Sequence, residues 1–344
     1  MSIANFPELT ELERILDAGA RYLEVQEICR IDAKGAHLPL YSIALGNPAP
    51  ELPTVGFFGG FHGLERIGTA VVLAYLNNLV TRLRWDSALH RRLESTRLVF
   101  MPLINPGGML HGKRSNPNGI DLMRNAPLEA QEQVPFMLGG HRFSRALPWF
   151  RGVQDAPMEA ENKAVCHVVE HELLSHQFSV SVDCHSGFGL RDRIWFPYAH
   201  TTTPIEHLPE IHALKGIYDD SYPHHKYVFE PQSQQYLTHG DLWDYLYRQA
   251  YQADASGERI FLPLTLELGS WLWVKKNPYQ LFSRHGIFNP LIAHRQQRVL
   301  RRHLPWFDFL VDAAISRHRW LPDNTKRERL RQDALALWYG HTPA

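Results

Sequence analysis

A histidine and a glutamate three residues apart, His62 and Glu65, lie in the glycine-rich segment GGFHGLERIG at residues 59–68. Zinc accepts both side-chain types as ligands, and a catalytic zinc ion needs three protein ligands and an open position. A tight turn could direct both side chains at one point, because the glycines allow close backbone approach. Taken alone the pattern favours a structural turn, since it can arise by chance in a chain with 20 histidines.

A third candidate ligand is His185, in the segment SVDCHSG. Asp183 lies two positions earlier and should share its face of a strand, because side chains alternate with a period of two. By the same rule Cys184 should point to the opposite face, and we interpret it as a buried packing residue. A lone histidine at such a position can also be purely structural.

Glu267 is a carboxylate inside the apolar segment TLELGSW. Burying a carboxylate is costly unless it is paired, hydrogen-bonded or protonated. Two interpretations explain its position: a structural ion pair, or a general base whose pKa is raised by burial.

Three cationic side chains, Lys113, Arg114 and Arg124, lie in the segment INPGGMLHGKRSNPNGIDLMRN at residues 104–125. In a loop this rich in Asn, Pro and Gly, cationic side chains are commonly solvated. The functional alternative is a guanidinium group that binds a carboxylate or stabilises an oxyanion.

The segment HVVEH at residues 167–171 offers a competing metal site. It has the HxxEH form of the inverted zinc-protease motif, on a predicted helix where His167 and His171 would share a face. The charged positions of this amphipathic helix suit a solvent-exposed face, and no partner motif follows downstream. We therefore favour the first set of residues. His224 and His225 have no partner at metal-binding spacing and are interpreted as surface residues.

The elements that must position these residues alternate between strands and helices. Apolar segments predict strands at residues 21–32, 38–46, 54–61, 96–105, 178–185, 194–200 and 261–269. Helical periodicity predicts helices at residues 8–19, 68–83, 158–176, 239–251, 290–317 and 324–339, and residues 105–160 are predicted to form a long ordered loop. The alternation predicts an α/β fold with a mixed central sheet covered by helices on both faces. Functional residues collect at the carboxyl ends of strands in such folds, and His62, Asn105, His185 and Glu267 follow or end predicted strands.

Composition excludes several other classes of function. The 344 residues include 36 Lys and Arg against 36 Asp and Glu, so no basic excess supports nucleic acid or an anionic membrane as the main partner. Three scattered cysteines (Cys29, Cys166, Cys184) argue against a disulfide framework. No apolar run approaches the ~18 residues of a membrane span, and the first 20 residues lack the pattern of a signal peptide. We expect a soluble cytoplasmic protein.

The motifs occur in a recognisable order: HxxE, NPxG, RxNxxGxDLxRN, a strand-end DxH, and TxELG. This order resembles the zinc metallocarboxypeptidases of the carboxypeptidase A and B type, over residues 56 to 270. The resemblance implies a single catalytic domain spanning residues 1–344, with an N-terminal β-hairpin and a C-terminal helical extension at about 290–339. It also implies one Zn²⁺ per chain and a peptide or acyl-amino-acid substrate.

The resemblance further implies a role for each matching residue. The zinc ligands would be His62, Glu65 and His185. Glu267 would be the general base that activates the attacking water and later protonates the leaving amine. Arg114 would polarise the scissile carbonyl and stabilise the oxyanion.

Three more residues are implied to contact the substrate. Arg124, together with Asn125, would bind the terminal carboxylate. Tyr245, two residues after Trp243, would be the mobile tyrosine that closes over the substrate, although Tyr236, Tyr247 and Tyr251 lie nearby in the sequence.

One position departs from the family pattern. Met123 stands where the family usually has an asparagine that helps bind the carboxylate, and losing such a donor typically costs ~1–3 kcal/mol. An amidase or deacylase acting on acyl-amino acids or murein peptides is therefore the alternative within the class. A catalytically silent zinc-binding scaffold is the alternative outside it, and the intact Glu267 argues against that.

Overall fold

Eight strands form one mixed β-sheet in the computed structural model, which describes residues 6–33, 35–254 and 257–340. The strands are β1 (Glu24–Asp32), β2 (His37–Gly46), β3 (Thr54–Gly59), β4 (Arg97–Met101), β5 (Phe178–Ser186), β6 (Arg193–Phe196), β7 (Val228–Pro231) and β8 (Ile260–Leu268). Their order across the sheet is β1-β2-β4-β3-β5-β8-β6-β7.

The helices of the described residues are distributed along the whole chain. They are α1 (Pro7–Gly19), α2 (Arg66–Arg82), α3 (Ser87–Glu94), α4 (Pro106–Leu110), α5 (Ala160–Val168), α6 (Leu208–Ser221), α7 (Leu242–Ala253), α8 (Trp271–Lys276), α9 (Ala293–Ile315), α10 (Arg317–Trp320) and α11 (Asn324–Tyr339). Short 3₁₀ segments occur at Leu122–Arg124, Gln232–Gln234 and Pro278–Phe282, and one π-helical turn occurs at Val169–Leu173. No helix among these residues is long and apolar enough to cross a bilayer.

The four central strands, β4, β3, β5 and β8, run parallel to one another. An antiparallel hairpin of β1 and β2 extends the sheet at one edge, and β6 joins β8 in antiparallel orientation at the other. Because the carboxyl ends of the parallel strands meet at one edge, side chains from distant parts of the chain converge there.

Helices cover both faces of this sheet, and two consecutive residues of β3 show how. Phe57 packs against Tyr75 of α2 and Phe307 of α9 on one face. Phe58 points to the other face, where its ring lies 4.9 Å from that of Trp243 of α7. Strands buried on both faces have to be apolar along their whole length, as β3, β4 and β5 are. The predicted α/β fold with a mixed, doubly covered sheet is confirmed.

Several predicted boundaries were wrong. The helix predicted for residues 158–176 ends as an α-helix at Val168 and continues only as the π-helical turn. The last two predicted helices correspond to α9 and α11, with the short α10 between them. The sequence pattern missed α3, α4, α6, α8 and β7. In α6 a proline in the first turn and Gly216 in the interior weaken the helical signal.

Candidate active site

The metal-ligand candidates come from two neighbouring parts of the sheet edge. His62 and Glu65 lie in the loop between β3 and α2, and Glu65 immediately precedes the first residue of α2. His185 is the second-last residue of β5, which pairs with β3 in parallel register. The loop therefore begins beside the strand that carries the third side chain.

Glycine is required at Gly63, between the two ligands of the loop. A Cβ atom there would lie 2.2 Å from the carbonyl carbon of Gly108, so no other residue fits without moving the backbone. Asn105 secures the same approach, because its Nδ2 donates to the carbonyl oxygen of Phe61 at 3.0 Å and its Oδ1 accepts from the amide of Gly108 at 2.8 Å. The glycines of GGFHGLERIG thus bring the loop against the segment after β4.

The donor atoms of His62, Glu65 and His185 lie within 4.8 Å of one another, and all three residues are buried. Nδ1 of His62 lies 2.8 Å from Oε1 of Glu65, and Nδ1 of His185 lies 2.9 Å from Oε2. Two imidazole nitrogens and a carboxylate facing one point form a donor set typical of catalytic zinc. The structure brings together the three ligands predicted from the sequence.

Two buried aspartates hold the outer ring nitrogens of these histidines. Nε2 of His62 lies 3.0 Å from Oδ1 of Asp121, and Nε2 of His185 lies 2.6 Å from Oδ2 of Asp183. Asp183 also accepts a hydrogen bond from Nε1 of Trp243 at 2.9 Å. Such carboxylates fix the ring orientation and tautomer of a metal-binding histidine. The sequence placed Asp183 beside His185 but did not reveal this role, and it did not identify Asp121.

The charges of this group shift one another's pKa values. Burial alone would raise the pKa of Glu65, but His62 and His185 lower it below the usual range of a carboxyl. Burial alone would lower the pKa of His185, but Asp183 and Glu65 raise it well above its usual value. A metal ion would compete with protons for these nitrogens, because only the neutral imidazole binds a metal.

Glu267 lies directly beside His185, because the two residues are partners in the parallel register of β5 and β8. One carboxylate oxygen accepts a hydrogen bond from the amide of Phe188 at 3.0 Å, and no cation forms an ion pair with it in the described residues. Burial, followed by the nearby Glu65 carboxylate, raises the pKa of Glu267 to about 8. A buried carboxylate with a raised pKa and no described ion-pair partner has the properties that a general base requires.

Arg114 lies against the metal-ligand group. Its Nε donates to Asp121 at 2.8 Å and its Nη1 donates to Glu65 at 3.1 Å. Nη2 forms no hydrogen bond within the described residues, and the side chain is partly open to solvent. Arg114 can therefore present a charged donor to a group bound beside the metal site.

Arg124 is buried, with 3% of its surface exposed, yet it forms no ion pair within the described part of the chain. Its guanidinium donates to the carbonyl oxygens of Met123 at 3.0 Å and Leu138 at 3.3 Å, and it also forms a side-chain hydrogen bond with Tyr236. Met123, the departure from the family pattern, is itself buried in the core. A buried cation without a carboxylate is costly, so Arg124 fits a site that receives an anion.

Asn125, predicted to bind substrate beside Arg124, has a structural role instead. Its Nδ2 donates to the carbonyl oxygen of Arg151 at 3.0 Å, and its Oδ1 accepts from the amide of Glu159 at 2.8 Å. Arg151, which the sequence pattern did not single out, is buried and its Nε donates to the carbonyl oxygen of Arg124 at 3.1 Å. Asn125 and Arg151 thus hold the backbone that carries Arg124.

The structure does not bring Tyr245 to the site. This residue lies on α7 with its hydroxyl 2.6 Å from Nε2 of Gln249. Its titratable neighbours are Cys166 of α5 and Glu170 of the π-helical turn. The reason is helical rotation: Trp243 faces the sheet, and two residues further along the helix turns by about 200°. Tyr245 therefore points away from the sheet edge.

Tyr236, in the loop before α7, lies where the tyrosine was expected. Burial is the main cause that raises the pKa of Tyr236, and the negative charge of Glu267 adds to the rise. The positive charges of Arg124 and Arg114 partly oppose it. Its ring lies 5.9 Å from that of Phe188. The location of Tyr236 in a loop could have distinguished it from Tyr245, which lies within a predicted helix, because functional side chains concentrate on loops.

The competing motif at residues 167–171 forms no metal site. His167 and His171 are exposed on the outer surface of α5 and the π-helical turn, and Nδ1 of His171 lies 2.7 Å from the carbonyl oxygen of His167. Among the described residues, the group of His62, Glu65 and His185 is the one with metal-binding geometry.

Comparisons with known proteins identify similar sequences among zinc carboxypeptidases. The sequence model described as zinc carboxypeptidase matches residues 33–270. Carboxypeptidase D of Anas platyrhynchos is 23% identical over 218 residues, which cover 59% of this chain and 14% of that protein. The carboxypeptidase N catalytic chain of Rattus norvegicus is 27% identical over 245 residues, which cover 63% of this chain and 48% of that protein. The chain thus spans less than half the length of either relative.

A solved structure shows the same fold. The crystal structure of thrombin activatable fibrinolysis inhibitor superposes with a TM-score of 0.65 at 16% sequence identity, covering 89% of this chain and 72% of that chain.

Proposed function

The chain belongs to the zinc carboxypeptidase family, and on that premise we propose that it hydrolyses the C-terminal peptide bond of peptides that end in a free carboxylate. The protein would be a zinc-dependent hydrolase with Glu267 as general base, Arg114 as oxyanion donor and Arg124 as carboxylate receptor.

The observation that carries this proposal is the buried, unpaired guanidinium of Arg124. A substrate carboxylate would supply the direct ion-pair partner that the described residues do not, through the two parallel hydrogen bonds that a guanidinium can offer. A substrate that ends in a neutral amide would leave this charge uncompensated. The arrangement therefore favours a carboxypeptidase over the amidase or deacylase alternative, although Met123 supplies no side-chain donor.

The donor set of His62, Glu65 and His185 fits zinc, with Asp121 and Asp183 orienting the two rings. Zinc bound there would supply Lewis acidity and a lowered pKa for water. A cation on Glu65 would also counter the negative charge that raises the pKa of Glu267, and so bring that pKa toward the neutral range where a general base works best.

The chain's own residues would then carry the proton and the charge. Glu267 takes a proton from the attacking water, and the water oxygen bonds to the carbonyl carbon. The same proton passes from Glu267 to the amine nitrogen as the carbon–nitrogen bond breaks. The free Nη2 of Arg114 would stabilise negative charge on the carbonyl oxygen during this step.

Binding of the substrate would be completed by Arg124 and Tyr236. Arg124 would fix the terminal carboxylate and so set the position of the scissile bond. Tyr236, which lies among Arg124, Glu267 and Arg114, would cover the substrate. We assign to Tyr236 the role that the sequence resemblance suggested for Tyr245.

Paired peptides of one sequence, ending in a free acid or an amide, provide the test. The zinc-loaded protein should release the last residue of the free acid, and it should process the amide at least about 100-fold more slowly, because Arg124 would be left unpaired. Chelation should abolish the reaction and added zinc should restore it. Equal rates on both peptides would point to the amidase alternative, and zinc binding without hydrolysis of any peptide or acyl-amino acid would point to a silent scaffold.

The metal assignment has a matched pair of variants. His62→Ala should lose bound zinc, whereas His167→Ala should retain it, because His167 is exposed and no third ligand joins it and His171 within the described residues. The opposite result would transfer the metal to the segment at residues 167–171.

We also propose that the protein works in the cytoplasm. Cys29, Cys166 and Cys184 are all free thiols, and free thiols persist in a reducing compartment. Measuring the location of the tagged full chain would test this.

A further inference from the structure

A cavity of about 930 Å³ opens on the side of α8 that faces away from the catalytic cleft. It lies between the end of α6 with the loop that follows, the helix α8, and the first half of α9. Its buried floor is formed by Tyr227, Trp273, Val299 and His303. Neither the metal ligands nor Glu267 line it, so it is separate from the proposed site of hydrolysis.

The helix α8 forms the wall between the two sites. Trp271, its first residue, donates from Nε1 to the carbonyl oxygen of Gly187 at 2.8 Å, on the side of Phe188 and the cleft. Trp273 and Lys276, further along the same helix, line the cavity.

Cationic side chains dominate the rim of the cavity. They are Lys226, Lys276, Arg295, Arg298 and Arg302, against a single lining carboxylate, Asp192. The chain as a whole has a formal net charge of zero, so this excess is a local concentration of positive charge. Like charges held around one concave surface repel one another, and the repulsion falls when an anion binds between them.

Most of these cations have no carboxylate partner in the part of the chain that the structure describes. Arg302 pairs with Asp192 at 2.8 Å. Arg295 donates to the carbonyl oxygen of Trp273 at 3.5 Å. Lys226, Lys276 and Arg298 form no ion pair with any described residue, and so their charges are available to a ligand.

Aromatic side chains line the same cavity beneath the charges. Tyr218, Tyr222 and Tyr227 contribute three rings, and Trp273 contributes a fourth. Tyr222 is 39% exposed, with its ring 5.0 Å from that of Tyr218. A pocket with apolar, aromatic walls and a few convergent polar groups is the usual form of a small-molecule site.

We propose that this cavity binds a small organic anion that carries several negative charges on an aromatic body. The charged groups would contact Arg298, Lys276 and Lys226 at the rim, and the aromatic body would lie on Tyr222 and Trp273. The site does not depend on the hydrolytic activity, and its test needs no substrate.

The probe is 8-hydroxypyrene-1,3,6-trisulfonate, a fluorescent aromatic trianion, titrated with the 344-residue chain by fluorescence anisotropy. We expect saturable binding of one probe per chain at concentrations below about 1 mM. Raising the salt concentration should weaken the binding, because exposed charges are screened. Inorganic pyrophosphate supplies charge without an aromatic body and should compete only weakly.

Three variants separate the charge from the aromatic surface. The double variant R298Q/K276Q should weaken probe binding about tenfold, since it removes two exposed charges from the rim of the cavity. Arg301→Gln is the matched control, because Arg301 is exposed on α9 but does not line the cavity, and it should leave binding unchanged. Tyr222→Ala should weaken the probe about fivefold and leave pyrophosphate unaffected.

Each other outcome would overturn part or all of the proposal. No saturable binding, or an equal loss from Arg301→Gln and from R298Q/K276Q, would exclude the cavity as the site. Pyrophosphate binding as tightly as the aromatic trianion would exclude a role for the aromatic walls.

Discussion

Two groups of buried charges meet at the carboxyl ends of β5 and β8, and they differ in how they are neutralised. In the metal-ligand group, Glu65 contacts both histidines and Arg114 within 3.1 Å. In the substrate-facing group, Arg124 contacts carbonyl oxygens and Tyr236 but pairs with no described carboxylate. Glu267 accepts a backbone amide but pairs with no described cation.

The charges of the metal-ligand group are neutralised within the fold, whereas those of the substrate-facing group need a ligand to neutralise them. Unpaired buried charges destabilise a protein, so a chain keeps them where function requires them. The metal-ligand group forms a closed network whose removal should affect metal binding. The substrate-facing group is open, and its removal should affect turnover while leaving the metal and the fold intact.

The largest expected effect comes from Glu267→Gln. The amide cannot accept the proton of water, so kcat should fall by about 10² to 10⁴-fold, the usual contribution of a general base. Zinc content should stay at one per chain, whereas Glu65→Gln should lose zinc and activity together. Undiminished turnover by Glu267→Gln would remove it from the mechanism.

The next effect is expected for Arg124→Gln. Losing one partner of a buried charge pair costs about 2–5 kcal/mol, so kcat/KM for a free-acid peptide should fall at least about 30-fold. The rate on the amidated peptide should barely change. Arg145→Gln, on an exposed position of the neighbouring loop, serves as the control.

Arg124→Gln also tests whether the two groups of charges contribute differently to the stability of the fold. Removing an unpaired buried charge should leave the unfolding temperature unchanged or raise it. Asp121→Asn should lower it, because Asp121 is the buried partner of Arg114 and His62. A large loss of stability in Arg124→Gln would show that this charge is structurally compensated.

A third buried charge, Glu161 at the start of α5, should make stability depend on pH. Its carboxylate accepts from Nδ2 of Asn116 at 3.2 Å, and burial raises its pKa from 4.5 to about 7. Because the folded pKa is the higher one, this group's stabilisation is complete below about pH 4.5 and is lost as the pH rises to about 7. The difference corresponds to about 3 kcal/mol.

Glu161→Gln should therefore be more stable than the unaltered protein above about pH 7, by up to about 3 kcal/mol, with the gap closing near about pH 4. Denaturant unfolding across this range measures the difference. Glu94→Gln changes an exposed carboxylate on α3 and should show no such trend. A pH-independent gap for Glu161→Gln would mean that its carboxyl titrates normally.

A smaller effect is expected within the metal-ligand group from Asp183→Asn. The asparagine can still contact Trp243, but it no longer holds His185 with a negative charge, and zinc affinity should fall about 10 to 100-fold. Competition with a chelator measures this. Asp219→Asn is the control. It removes a carboxylate of the distant α6 that pairs with Lys215 and His225, and it should leave zinc affinity unchanged.

The metal-ligand group was the part of the site most accessible from sequence. His62, Glu65 and His185 lie at the ends of apolar strands, and the parallel order of β3, β5 and β8 brings such ends together. The sheet itself was predictable, because segments such as TVGFFG are apolar on both faces. Asp121 and Arg151 were not predictable, since their partners depend on how a long irregular loop folds back on itself.

The substrate-facing group was harder to predict for a geometric reason. Asn125 follows Arg124 directly, but its amide is used by the backbone of residues 151 and 159. Tyr245 had suitable spacing from Trp243 along the sequence, but the rotation of α7 directs it away from the cleft. Closeness in sequence to a functional residue does not determine where a side chain points. On a helix, that direction depends on the residue at which the helix begins.

The smallest predicted effect tests the assignment of Tyr236, in place of Tyr245, as the tyrosine that covers the substrate. Tyr236→Phe removes one hydroxyl from the neighbourhood of Arg124 and Glu267, and the loss of one hydrogen bond of about 1 kcal/mol corresponds to about a fivefold decrease in kcat/KM. Tyr245→Phe should leave kcat/KM unchanged, because its hydroxyl contacts Gln249. Both variants keep the aromatic ring, so steady-state kinetics on one free-acid peptide compare the hydroxyl groups alone. A decrease for Tyr245→Phe and none for Tyr236→Phe would mean that α7 turns toward the cleft when substrate binds, and the open group of charges would then be closed by a helix instead of a loop.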